Sequence, residues 1–207
     1  MIYLDWAASA PPEPAALAAA AETAKACHAN PSSPHPAGRA AAAALEDARR
    51  RLATLLGGGE IVFTSGATES NSLLLLSVLD RARLAPDRRP VIVVSGIEHA
   101  SVHDQARRLA ALGATCRVVR AGPEGRVQPR DVAAAVDRDT AIVSVMLVNN
   151  ETGVVQPVAE IAGAVRAAAG GRRVIVHTDA VQAFGKLPFT PGALDVDAAS
   201  VSAHKVG

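Results

Sequence analysis

"PVIVVSGIEHAS", residues 90–101, runs through four consecutive β-branched residues, turns at Gly96, and enters a helical pattern past Glu98 and His99. A strand with no polar side is a strand covered on both faces, which is the signature of a parallel sheet rather than a solvated hairpin. The same profile recurs outward from this stretch. Further short apolar runs are "EIVFT" (60–64), "TCRVV" (115–119), "TAIVSVML" (140–147), "RVIVH" (173–177) and "DAASVS" (197–202). Helical patterns at 69–83, 99–112, 129–137 and 157–169 lie between most of them. Alternation of this kind predicts an α/β fold, a three-layer α/β/α arrangement around a mostly parallel sheet. Two alanine-rich helical patterns, 13–28 and 37–56, come first, separated by the Pro/Ser/Gly loop "NPSSPHPAG". Residues 1–12, with "APP", read as an extended arm outside the repeating unit.

The bulk properties narrow the class. A chain of 207 residues can bury one sizeable core. Charge is almost balanced, 21 Lys+Arg against 20 Asp+Glu, so nothing global favours nucleic acid or an anionic membrane surface. No charge-free apolar run is long enough to span a bilayer. No basic cluster precedes the first alanine-rich stretch, so a secretory signal is not read there and the expected location is cytoplasmic. Cys27 and Cys116 lack metal-like spacing and read as small residues on a helix and a strand.

In open sheets of this type, ligands bind at the carboxyl ends of the strands. Those ends carry "SGATES", "GIEHAS", "VNNETG", "TDAVQ" and "AHK", and bring Thr68, His99, Asn150, Asp179, Gln182, His204 and Lys205 toward one edge. "TSGATESN" reads as strand, glycine turn and helix start near Thr68, where N–H groups and the helix dipole favour a phosphate, although the same residues also make an ordinary cap. Asp179 shares a strand face with His177. It reads either as a buried structural carboxylate or as the partner of a cationic ring nitrogen. At about 4 Å and an effective dielectric near 20 that pairing is worth roughly 4 kcal/mol, about three pKa units. Lysine is scarce, with only Lys25, Lys186 and Lys205 among the 21 basic residues. Lys205 follows the small residues of "ASVSAH", where a weakly solvated amine can form an imine with an aldehyde. Phosphate cradle, ring-nitrogen carboxylate and imine-forming lysine on one edge together point to pyridoxal phosphate. A zinc site is the rival, because "EHASVH" sets His99 and His103 four residues apart beside Glu98 and Asp104, but no HExxH pattern or third ligand accompanies them, and no metal is expected.

Seven segments, "YLDWAASAPP", "NPSSPHPAGR", "FTSGATESN", "EHASV", "VNNETGVVQP", "HTDAVQAFGKLP" and "SVSAHKVG", follow the order and spacing of one known family. The chain resembles the N-terminal half of a cysteine desulfurase of the NifS/IscS type, a class V, fold-type-I pyridoxal phosphate enzyme. The resemblance implies that Lys205 holds the cofactor covalently and removes the substrate Cα proton. It implies that Asp179 pairs with the pyridine nitrogen, Gln182 bonds the phenolic oxygen, and His99 stacks on the ring and helps move protons. Ala67, Thr68, Ser202 and His204 would hold the phosphate, and Asn150 would lie near cofactor and substrate carboxylate. Residues 1–14 would belong to the family's small domain and 15–207 to its large cofactor-binding domain, incomplete after the lysine.

L-cysteine would be the substrate, with L-alanine and an enzyme persulfide as products. The sulfur would pass to an acceptor protein serving iron–sulfur cluster assembly or tRNA thiolation, and the full-length enzyme would be a homodimer. Neither Cys27 nor Cys116 matches the family's catalytic cysteine. That residue and the substrate-binding arginine would lie beyond Gly207, so the isolated chain is expected to be inactive, unstable or weak in cofactor binding, with an unpaired sheet edge near 60–64. Selenocysteine lyases, kynureninases and aminotransferases of the same class share the cofactor motifs, and a non-catalytic remnant is the remaining alternative.

Overall fold

Along β1 (Val91–Ser95) successive side chains part company: Val91 and Val93 join one buried cluster, Ile92 and Val94 another. Strand side chains alternate between faces, so this run stays apolar throughout because both faces are covered. The structure is a computed structural model describing residues 2–84 and 89–207. It divides into a unit of Met1–Phe63 with Ala203–Gly207 and a unit of Thr64–Ser202.

The larger unit holds the sheet. Among its described residues β1, β2 (Thr115–Val119), β3 (Thr140–Ser144), β4 (Ile175–Asp179) and β5 (Ala198–Ser200) lie in the order β2-β1-β3-β4-β5. Every pairing is parallel. Helices α3 (Ala67–Leu84) and α4 (Ala100–Ala111) cover one face through Leu75, Val78, Val102, Ala106 and Leu109. The other face is covered by α5 (Pro129–Ala134) and α6 (Val158–Ala169), with Val132, Ile161 and Val165 in its core. On α6 the buried positions Val158, Ile161, Ala162, Val165 and Ala169 recur with helical spacing, and each of its buried Val or Ile side chains contributes about 1.5–3 kcal/mol. Gly170, at φ 57°, ends α6 in the left-handed conformation that glycine adopts without a Cβ clash. The expected three layers are therefore present.

Strand order fixes where a crevice can open. From β1 the chain passes outward to β2, then returns to place β3 on the opposite side of β1, so the connections diverge between β1 and β3. Two bonds cross there, one buried and one half-buried: Met146 N–H donates to Glu98 Oε1 (2.6 Å) and Asn149 Nδ2 to Ile97 O (3.0 Å). The sequence reading carried β3 to residue 147. The assigned strand stops at Ser144, yet its ladder with β4 continues, since Val145 N–H donates to His177 O and Leu147 N–H to Asp179 O. The run read at 173–177 becomes Ile175–Asp179, two residues later, because Val174 O is taken by the Arg166 guanidinium (2.8 Å).

The smaller unit contains α1 (Pro14–Ala26) and α2 (Pro36–Leu55), each opened by a proline at its first turn, where no donor is lost. No residue of α1 is buried, so its helicity rests on alanine propensity. His35 caps α2, its Nδ1 accepting from Gly38 N–H at 3.2 Å. The strand read at 60–64 is a correction: these residues are not a strand. Ile61 O accepts from Arg49 Nε (2.9 Å), the same guanidinium stacks 5.4 Å from the Phe63 ring centre, and Val62 is 68% exposed. An apolar run becomes a strand only where a neighbour supplies the ladder, and side-chain bonding has claimed this segment instead.

Candidate functional site

Asp179 closes β4 and lies in register with Ser200 of β5. It is 5% exposed, and both carboxylate oxygens accept: Oδ1 from Val181 N–H at 3.0 Å, Oδ2 from Asn71 Nδ2 at 2.8 Å. Two residues back on the same face, His177 is wholly buried between two serines, with Nδ1 2.9 Å from Ser144 Oγ and Nε2 3.1 Å from Ser200 Oγ. Burial pushes the His177 imidazole down to about 4, against the pull of Asp179's negative charge, so it is neutral at pH 7.

Glu98, buried at the exit of β1, accepts at Oε1 from Ser95 Oγ (2.6 Å) and Met146 N–H (2.6 Å), while Oε2 has no partner. Desolvation drives its carboxyl up to about 8, the Ser95 bond opposes this, and the charge of Asp179 adds to it. Because the solvated form of an acid is the charged one, burial keeps Glu98 largely protonated at neutral pH.

His99 was read as the first residue of a helix face shared with His103. It is instead the extended N-cap of α4, its Nδ1 accepting from Ser101 N–H (3.2 Å) and lying 2.9 Å from Ser101 Oγ. Ser101 Oγ accepts in turn from Asn71 Nδ2 at 3.0 Å. Asp179, Asn71, Ser101 and His99 thus form one connected chain, drawn from β4, α3 and α4. No cluster suited to a metal ion occurs among the described residues.

The remaining residues of the expected site are distributed as follows. Ala67 and Thr68 open α3, the first half-buried and the second exposed, with Glu69 Oε2 accepting from Ser65 N–H at 2.5 Å as in a capping box. Asn150 is half-buried in a turn organised by its neighbour Asn149, whose Oδ1 accepts from Glu151 N–H, Thr152 N–H and Thr152 Oγ1. Gln182 Oε1 accepts from Lys186 Nζ at 3.0 Å, and Ser202 is buried. His204 and Lys205 belong to the smaller unit, in a 3₁₀ turn, Ala203–Lys205. There Lys205 Nζ donates to Ala7 O (2.5 Å) and Ala8 O (2.8 Å), and His204 O accepts from Ala10 N–H. Asn71 and Ser101 were missed from sequence, and Glu98 entered only as a metal neighbour.

The sequence profile of the aminotransferase class-V family matches residues 2–207. The chain belongs to that family. Among class-V proteins, it is 41% identical over 208 residues to "Cysteine desulfurase IscS" of Anaeromyxobacter sp. (strain K), covering 99% of this chain and 50% of the relative. It is 36% identical over 228 residues to the "Selenocysteine lyase" of Rattus norvegicus, covering 99% and 53%. A solved NifS-like protein shares its fold with a TM-score of 0.92 at 35% identity, over 99% of this chain and 55% of that one. The chain spans about half the length of the curated relatives it matches. Class-V desulfurases depend on pyridoxal phosphate, and this chain matches them over the part that carries the motifs quoted above.

Proposed function

We propose that this chain is the cofactor-binding half of a pyridoxal phosphate-dependent cysteine desulfurase. The observation that carries the reading is Asp179, a carboxylate held almost out of water and oriented by a buried amide at the end of a central strand. The donor set fits the cofactor. A fixed anion suits a protonated pyridine nitrogen, an exposed imidazole anchored at one nitrogen suits a ring face, and hydroxyls beside a helix N-terminus suit a phosphate.

Pyridoxal phosphate, when bound, supplies an electron sink for the charge left at the substrate Cα. The chain's own groups do the rest. Asp179 would hold the ring-nitrogen proton, and Gln182 would donate to the phenolic oxygen. His99 would cover the ring and help move protons, while Ala67, Thr68, Ser202 and His204 would hold the phosphate. Asn150 would lie near the substrate carboxylate, and Lys205 would anchor the cofactor and take the Cα proton of L-cysteine. The sulfur-accepting cysteine and the substrate arginine are assigned to residues outside these 207, as are most contacts of a homodimer and of a sulfur-acceptor protein in the cytoplasm. Residues 1–14 are assigned to the small domain and 15–207 to the large one. The identity to a selenocysteine lyase favours L-selenocysteine as the alternative substrate.

The test is the visible imine absorbance of the full-length protein incubated with pyridoxal phosphate. The band is expected in the wild type, absent in Lys205→Ala and weakened in Asp179→Asn. A full-length wild type that binds no cofactor, or a Lys205→Ala variant that keeps the band, refutes the reading. Comparing alanine release from L-cysteine and L-selenocysteine by the full-length protein decides between the two substrates.

A further inference from the structure

Hydrogen-bond directions around Asn71 settle a proton position that neither sequence nor fold states. Asp179 accepts at both oxygens, so the atom of Asn71 facing Oδ2 must be its amide nitrogen. That nitrogen carries two hydrogens, one directed at Asp179 Oδ2 and the other at Ser101 Oγ, 3.0 Å away. Having accepted from Asn71, the Ser101 hydroxyl has its own proton to give, and the available acceptor at 2.9 Å is His99 Nδ1. The Ser101 backbone N–H aims at the same nitrogen from 3.2 Å. Two donors converging on Nδ1 leave no room for a proton there.

We infer that Asn71 and Ser101 are positioning residues that hold neutral His99 in its Nε2–H tautomer, Nδ1 unprotonated, and tie its ring orientation to the carboxylate of Asp179. The exposed edge of the imidazole therefore presents a donor, not an acceptor. Neutral His99 donates a hydrogen bond outward from Nε2, and releasing that proton requires Nδ1 to take one in exchange. The tautomer follows from Asn71, Ser101 and Asp179 alone. Its consequence for the reacting ring rests on the cofactor reading, and the two fail separately because the test needs no cofactor.

The experiment is long-range ¹H–¹⁵N correlation spectroscopy of ¹⁵N-histidine-labelled protein above the imidazole titration range, with His99 assigned by its loss in His99→Gln. In the wild type, Nδ1 is expected at the shift of an unprotonated ring nitrogen and Nε2 at that of a protonated one. Ser101→Ala removes one of the two donors and Asn71→Ala frees the serine oxygen to accept. Both are expected to raise the Nδ1–H population several-fold, while Ser101→Thr, which keeps the hydroxyl, restores the wild-type pattern. Should Asn71→Ala fail to fold, the Ser101 pair still decides. A wild-type His99 protonated at Nδ1, or a Ser101→Ala spectrum identical to wild type, overturns the assignment.

Discussion

Asn71 Nδ2 lies 2.8 Å from Asp179 Oδ2, joining α3 to the end of β4 across 108 residues of sequence with a single buried bond. A hydrogen bond to a charged acceptor contributes about 1.5–3 kcal/mol, and losing the donor leaves the acceptor desolvated and unmatched. Asn71→Ala should therefore lower unfolding free energy by about 2 kcal/mol or more, read as a shift of the urea midpoint at unchanged slope. Combined with Asp179→Asn the losses should fall well short of additive, since both changes remove the same interaction. Simple additivity would show that the two side chains do not depend on each other.

His177 makes a second, purely internal bridge. It has no exposed surface and spans Ser144 on β3 and Ser200 on β5. Truncation to alanine opens a cavity and strands two buried hydroxyls, for a combined cost of about 3 kcal/mol or more. His177→Asn, which can still bond one serine, should recover part of that loss. Chemical denaturation followed by circular dichroism measures both, and a loss below about 1 kcal/mol for His177→Ala would show that the serines find other partners.

The layers were legible in the sequence because burial on both faces writes itself into composition: Val91 to Val94 were readable as a strand for that reason, whereas Thr115–Val119, at the sheet edge with Val118 exposed, was readable only from its β-branched run. Residues 60–64 carry a similar apolar run, but what makes a strand is a neighbour, and that is a property of the fold rather than the segment. The site divides along the same line. Asp179 and His99 could be singled out as candidates because they sit at strand exits, where this topology places ligands. Asn71 and Ser101 were not, because an asparagine and a serine inside helical patterns look like surface residues until packing of α3 on α4 turns them toward Asp179 and His99. The four-residue spacing of His99 and His103 raised zinc only as a rival, and nothing in that spacing shows that the His99 Nδ1 is spent capping α4.

Gly38 of the smaller unit has no room for a side chain. A Cβ built there would meet Ser33 at both its carbonyl oxygen and, 2.8 Å away, its own Cβ. The backbone N–H of Gly38 also donates to the His35 cap. Gly38→Ala must displace the loop before α2, at about 1–3 kcal/mol. Limited proteolysis should show faster cleavage within residues 30–37 for the variant, with cleavage elsewhere unchanged. Equal rates would mean that the loop yields without cost.

Two buried groups set the pH dependence of the larger unit, and they pull in opposite directions. Glu98 is raised from 4.5 to about 8, so between those values the folded state holds a proton that the unfolded chain has released, and stability falls as pH rises. His177 is lowered from 6.5 to about 4, so between those values the unfolded chain holds the extra proton, and stability rises with pH. From 4.5 to 6.5 the contributions offset, each up to about 1.4 kcal/mol per pH unit, and the profile is nearly flat. From 6.5 to 8 only Glu98 remains, and stability should decline with each pH unit. Glu98→Gln keeps an acceptor for Ser95 and Met146 but cannot ionise, so it should abolish the decline above 6.5 and uncover a rising slope between 4.5 and 6.5. Thermal unfolding of both proteins across pH 4.5 to 8 measures this. A wild type whose stability does not fall above 6.5, or falls equally in Glu98→Gln, would show that Glu98 ionises freely in the folded chain.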